Sequence, residues 1–173
     1  MIMLYKHKLI LFSFTLVLIL SYGCKKDKTI SLVRSNFSIQ YPSFFEIDES
    51  GEASTIFALK TKKKQDIASP FIENVNLAED KSKYENIEEY FTNSEKNIEK
   101  YGKILESEKR VLNGNNYLRL VFQLSQDNES YTFIQHFHTH KQKFYILTFS
   151  SDTREFDSYL KSIDKMFSSF KLK

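Results

Sequence analysis

The chain has 173 residues, 41% hydrophobic and 27% charged, with 16 Phe and 10 Tyr; that apolar supply excludes a disordered chain and suits one globular domain with a short appendage. The formal net charge is +3, and it falls to about +1 once residues 1–23, which hold Lys6 and Lys8 and no acid, are set aside, so nothing in the charge balance favours nucleic acid as a partner. A single cysteine, Cys24, excludes an internal disulfide and a cysteine-based zinc finger.

The first element is an address. Lys6 and Lys8 precede an apolar run from Leu9 to Leu20, softened only by Ser13 and Thr15. This is the charged and then apolar pattern of a signal peptide. The run would span only about 18 Å as a helix, short of the ~30 Å hydrocarbon core, which disfavours a stable transmembrane anchor. Ser21-Tyr22-Gly23-Cys24 follows. A small residue before a cysteine at this place resembles the lipobox of bacterial lipoproteins, with Ser21 standing where Leu is usual. The resemblance implies cleavage after Gly23 and attachment of acyl chains such as palmitate to Cys24. Several acyl chains together make a stable anchor. Lys25, rather than Asp, favours the outer membrane over retention at the inner one. The expected organisation is residues 1–23 as leader, 24–34 as lipidated cysteine and polar tether, and 35–173 as the domain.

Asn36 to Tyr41 alternates apolar and polar residues and is stopped by Pro42, which predicts a half-buried strand. Ser54 to Leu59 predicts a second strand, Lys60 to Pro70 a charged loop, and Phe71 to Ala78 a third strand. The period then changes. Ile87, Tyr90, Phe91, Ser94, Ile98 and Tyr101 recur at helical spacing, with Asn86 and Glu89 as a capping box and Gly102 as the stop. Ile104 to Leu112 and Asn116 to Leu124 predict a hairpin about Asn113-Gly114, and Asp127-Asn128 marks the next turn. Tyr131 to Thr139 and Phe144 to Ser150 predict a second hairpin about Lys141-Gln142. Asp152 with Glu155 opens a second helix, whose apolar stripe is Phe156, Tyr159, Leu160, Ile163, Met166 and Phe167. The hairpins require an antiparallel sheet, and two single-striped helices must each cover a sheet face. The predicted class is α+β.

Several short motifs, in this order, resemble the PsbP family, known from the extrinsic subunit of photosystem II and widespread as a bacterial domain. They are Phe37-x-Ile39-x-Tyr41-Pro42, Asn74-Val75-Asn76-Leu77, the helix from Ile87 to Phe91, Asn113-Gly114-x-x-Tyr117, Lys143-x-Tyr145-x-Leu147-Thr148 and Ser168-Ser169-Phe170. The resemblance covers roughly residues 35 to 172. The family often carries a Trp shortly after the proline; here Phe44 or Phe45 takes that place. The resemblance implies an antiparallel sheet flanked by helices, an α/β/α sandwich. It implies no single activity, since family members are mostly binding or assembly factors, and it does not imply photosynthesis.

One polar cluster invites a chemical reading: Gln135-His136-Phe137-His138-Thr139-His140. On a strand, His136, His138 and His140 project from one face. Such a strip is either a solvated strand face or a site for zinc or copper, which still needs a further ligand from another strand. No Gly-x-Ser-x-Gly elbow, phosphate-binding glycine loop or His-Glu-x-x-His occurs in the sequence. The expected function is therefore a membrane-anchored, non-enzymatic binding or assembly module. Its anchor is lipid on Cys24 and its partner an envelope protein. The alternative is a metal-binding protein or metal-dependent hydrolase using the three histidines. A third reading, a small-ligand carrier, requires an open concave pocket.

Overall fold

Alternating side chains build most of the molecule. The computed structural model describes residues 28–48, 55–63, 71–80, 84–112 and 115–173; the leader, Cys24, the 64–70 part of the charged loop and the Asn113-Gly114 turn lie outside them. The strands are β1 (Thr29–Val33), β2 (Phe37–Pro42), β3 (Phe45–Asp48), β4 (Phe57–Thr61) and β5 (Asn74–Asp80), then β6 (Gly102–Leu112), β7 (Asn115–Gln126), β8 (Glu129–His140), β9 (Lys143–Asp152) and β10 (Lys171–Leu172). Helix α1 (Ile87–Ile98) follows β5, and α2 (Phe156–Ser168) follows β9. Seven strands form one sheet in the order β3-β4-β5-β9-β8-β7-β6, every neighbouring pair antiparallel. A second, three-stranded antiparallel sheet has the order β1-β2-β10. The architecture is α+β, with an antiparallel sheet between two helices.

Two cores follow from the period-two pattern. One face of the large sheet contributes Leu59, Val75, Leu77, Ile134, Leu147 and Phe149 to a core shared with α2 and the small sheet, through Ile163, Phe167, Phe37 and Ile39. The other face contributes Leu118, Leu120, Phe122, Phe137 and Ile146, closed over by Phe91 of α1. Full burial of each such side chain stabilises the fold by roughly 1.5–3 kcal/mol, so the two cores together dominate its stability.

The turns behave as their residues dictate. Asp127 and Asn128 have φ of 52° and 68°, and Lys141 and Gln142 have 50° and 61°. Two successive left-handed residues match the right-handed twist of flanking strands. At α1 the Asn86 side chain accepts from the Glu89 amide at 2.8 Å, and Glu89 in turn accepts from the Glu85 amide at 3.1 Å. The capping box is present, displaced by one residue on its return arm.

Four features differ from expectation. Residues 29–33, read as part of a polar tether, form β1, because Ile30 and Leu32 pair along β2 and Leu32 enters the core. The four-residue strand β3 is too short for its alternation to register in the sequence. Gly102 does not terminate α1, whose last residue is Ile98. It opens β6, where a Cβ would sit 2.3 Å from the Gln123 carbonyl oxygen and 2.5 Å from Leu124 Cδ2; the glycine is there for close approach of two strands. Finally, Glu155 stands at the start of α2 without a side-chain cap hydrogen bond. Asp152 ends β9 and accepts from the Arg154 amide at 2.8 Å instead.

Candidate functional site

Strand β8 carries the histidine strip, and the register places its neighbours. His136 lies between Arg119 of β7 and Leu147 of β9, and His138 lies beside Tyr145 of β9. Ile134, His136 and His138 face α2, while Phe133 and Phe137 face α1. The predicted shared face is present, but it is not solvated. His136 is 4% exposed and His138 9%, because α2 and the segment after it close over them. Phe167 meets the His136 ring edge-on at 4.8 Å, and Phe170 lies 5.2 Å from His138. Tyr117 covers both, at 4.5 Å from His136 and stacked at 5.5 Å from His138. His140, at the strand end before the turn, is half-buried.

The residue that organises this face is Arg119, which sequence reasoning did not single out. Its Nη1 lies 3.0 Å from His136 Nε2, its Nε 2.5 Å from Glu106 Oε1, and Nη1 also 3.2 Å from Asp164 Oδ1 on α2. Glu106 also accepts from Arg110 at 2.9 Å, and Arg110 Nε donates to Glu108 at 2.7 Å. A guanidinium only donates, so His136 Nε2 is the acceptor and its proton resides on Nδ1. The imidazole is therefore neutral. Burial, followed by the charges of His138, Arg119 and Arg110, holds the His136 pKa well below the usual histidine range. Burial alone takes His138 down to about 4. A signal for Arg119 existed in the sequence: it shares its strand face with Tyr117 and Val121, so its charge needed partners from the next elements.

This geometry is a structural clamp joining β6, β7, β8 and α2. Arg119 occupies the lone pair of His136 and sets a positive charge where a cation would sit. The ring centroids of His136 and His138 are 6.1 Å apart. Among the described residues no group of three or more His, Cys, Asp or Glu side chains is arranged to hold a metal ion. His136 Nδ1, His138 Nε2 and His140 Nε2 are buried without a hydrogen-bond partner, a cost of about 1–3 kcal/mol for each such group. Both helix–sheet interfaces are filled with side chains. Open hollows occur at the rim beside the start of α1. One of about 360 Å³ is lined by Lys109, Arg110, Tyr117 and Phe137, and one of about 610 Å³ by Asp80, Tyr84, Lys143 and Phe144. They are surface grooves of mixed polarity rather than an enclosed carrier cavity.

The family model described as PsbP matches residues 33–172. The chain belongs to the PsbP family. Three similar solved structures come from bacteria. Cyanobacterial PsbP (CyanoP) from Synechocystis sp. PCC 6803 is 15% identical, with TM-score 0.61, covering 87% of this chain and 96% of that one. LpqN, involved in cell envelope biogenesis of Mycobacterium tuberculosis, is 9% identical, with TM-score 0.59, covering 86% and 92%. A Pseudomonas aeruginosa protein of unknown function is 12% identical, with TM-score 0.57, covering 82% and 94%. At these identities the likeness is one of fold. No curated protein matches the sequence. Among the described residues no helix is long and apolar enough to cross a membrane.

Proposed function

We propose that the protein is an envelope lipoprotein, held at the outer membrane by acyl chains on Cys24, whose PsbP domain works as a non-enzymatic binding or assembly module. The observation that carries this reading is the state of the one polar cluster. His136, Arg119, Glu106 and Asp164 are engaged with one another across four elements, and the two central histidines are covered by Tyr117, Phe167 and Phe170. A general base or nucleophile must reach its substrate, and His136, His138 and Arg119 are all buried away from solvent. The family match supports the module reading, because the fold serves several roles and supplies no chemistry by itself. The envelope role of LpqN, a protein of the same fold, supports the address.

The partner in this reading is an envelope protein, and the lipid holds the domain at a fixed surface where a modest affinity suffices. The test is affinity capture from detergent-solubilised envelope with the full lipidated chain as bait. Enrichment of the same envelope protein in repeated captures, lost when the domain is unfolded, is the expected result. Recovery of no protein above a bait-free control, or measurable hydrolase activity that depends on His136, overturns the proposal.

A further inference from the structure

We propose that the end of the domain where the chain enters β1, marked by Lys28, Lys62 and Lys63, is a docking surface for the anionic headgroups of phospholipids. The inference rests on the tethered-lipoprotein reading above and adds an orientation to it. In the sequence Lys28 belongs to the spacer and Lys62-Lys63 to a distant charged loop. The fold brings them together. The Ser43 amide donates to the Lys28 carbonyl at 2.8 Å, the Lys62 amide to the Phe44 carbonyl at 2.9 Å, and Lys62 Nζ to the Ser43 carbonyl at 2.7 Å. The short turn between β2 and β3 therefore holds the base of the tether and the lysine run side by side. Lys28, Lys62 and Lys63 are all exposed.

The local acids do not cancel this charge at the surface. Lys63 lies 3.8 Å from Glu73, whose side chain has no exposed area, while the Lys63 side chain itself is 36% exposed. Lys60 pairs with Asp48 at 3.5 Å, and the exposed Glu46, two residues before Asp48 on β3, lies across from the same Lys60. Lys28 and Lys62 are left as the forward charges.

Reach decides what this surface meets. Cys24 is four residues before Lys28, and a fully extended chain covers at most about 3.6 Å per residue, or about 14 Å. Because β1 already begins at Thr29, the tether is shorter than its polar composition suggested. A lipid on Cys24 thus holds Lys28, and with it Lys62, within about two Debye lengths of the headgroups at physiological salt. Each basic residue near an anionic surface raises partitioning about fivefold. That is too weak to recruit a free protein, but it is enough to orient one that the tether already confines. The opposite pole supplies an internal control. Arg34 lies about 20 Å along β1 from Lys28. There the Lys173 ammonium donates to the Arg34 carbonyl, and Lys141 lies against Lys173. Lys141, Lys171 and Lys173 are exposed lysines at the far end.

The test is amine acylation of the full lipidated protein, reconstituted into vesicles of phosphatidylcholine alone or mixed with phosphatidylglycerol and read residue by residue by mass spectrometry. Labelling of Lys28, Lys62 and Lys63 is expected to fall about fivefold on the phosphatidylglycerol vesicles. Labelling of Lys141, Lys171 and Lys173 stays unchanged, and high salt removes the difference. The K28E/K62E variant, which leaves the Lys63–Glu73 pair intact, is expected to lose the protection. Equal labelling on the two vesicles, protection that ignores headgroup and salt, or protection at the far pole instead overturns the proposal. An unmodified Cys24 in the same spectra overturns the tether reading separately. The unlipidated chain, coupled through its Cys24 thiol to a maleimide-headgroup lipid in the same vesicles, then reads the docking surface alone: salt-sensitive protection of the same lysines sustains it, and no protection overturns it.

Discussion

Acid should destabilise this protein through a residue that titrates nowhere near its usual range. His138 is 9% exposed, and burial lowers its pKa from 6.5 to about 4. Between those values the unfolded chain takes up a proton that the native state refuses, so stability is full above 6.5 and is lost as pH falls towards 4. The gap, about two and a half pH units at about 1.4 kcal/mol each, amounts to about 3 kcal/mol. His136 is displaced in the same direction, by burial and by the charges of His138, Arg119 and Arg110, and adds to the loss. Urea unfolding at a series of pH values, for the native chain and for His138→Phe, measures it. Phenylalanine keeps an aromatic ring between Tyr117 and Phe170 and binds no proton, while the carboxylates titrating over the same range are common to both proteins and cancel in the difference. The variant is expected to gain about 3 kcal/mol relative to the native chain between pH 7 and about pH 4. Two parallel stability curves would refute burial of a neutral His138.

Arg119→Met should cost about 2–3 kcal/mol by urea unfolding, since it removes charged hydrogen bonds to Glu106 and His136 and an ion pair with Asp164 while the two carboxylates, both partly exposed, regain water. Gly102→Ala should cost about 1–3 kcal/mol, because the new methyl meets the Gln123 carbonyl and Leu124; an unchanged melting temperature would show that the strands can separate freely there. Phe167→Ala should cost about 3–5 kcal/mol, as Phe167 is fully buried against His136. Zinc or copper added to the folded protein should leave the melting temperature unchanged, with Arg119 on the imidazole lone pair; a rise that disappears in His136→Ala would restore the metal reading.

The elements with long, regular patterns were legible in the sequence. β2, β5, α1, β6 to β9 and α2 fall where alternation or helical spacing put them, because each is long enough for its period to repeat. β1 was hidden by its setting: Thr29 to Val33 is strand-forming but sits directly after a lysine-rich spacer. β3 and β10 are too short to carry a pattern, and they are strands because their neighbours pair with them. The histidine strip was legible as a shared face but not as a buried one. Burial there depends on Phe167 and Phe170 arriving from the other end of the chain, which spacing within β8 cannot reveal. Arg119 was passed over for the same reason, since Glu106 and Asp164 reach it from separate elements.

The account depends most on the lipid at Cys24, and mass spectrometry of the N-terminal peptide from protein recovered from bacterial membranes tests it directly. The expected peptide begins at Cys24, carries a diacylglycerol thioether with or without a further acyl chain, and contains none of residues 1–23. A peptide that retains the leader, or that begins with an unmodified cysteine, would contradict the account.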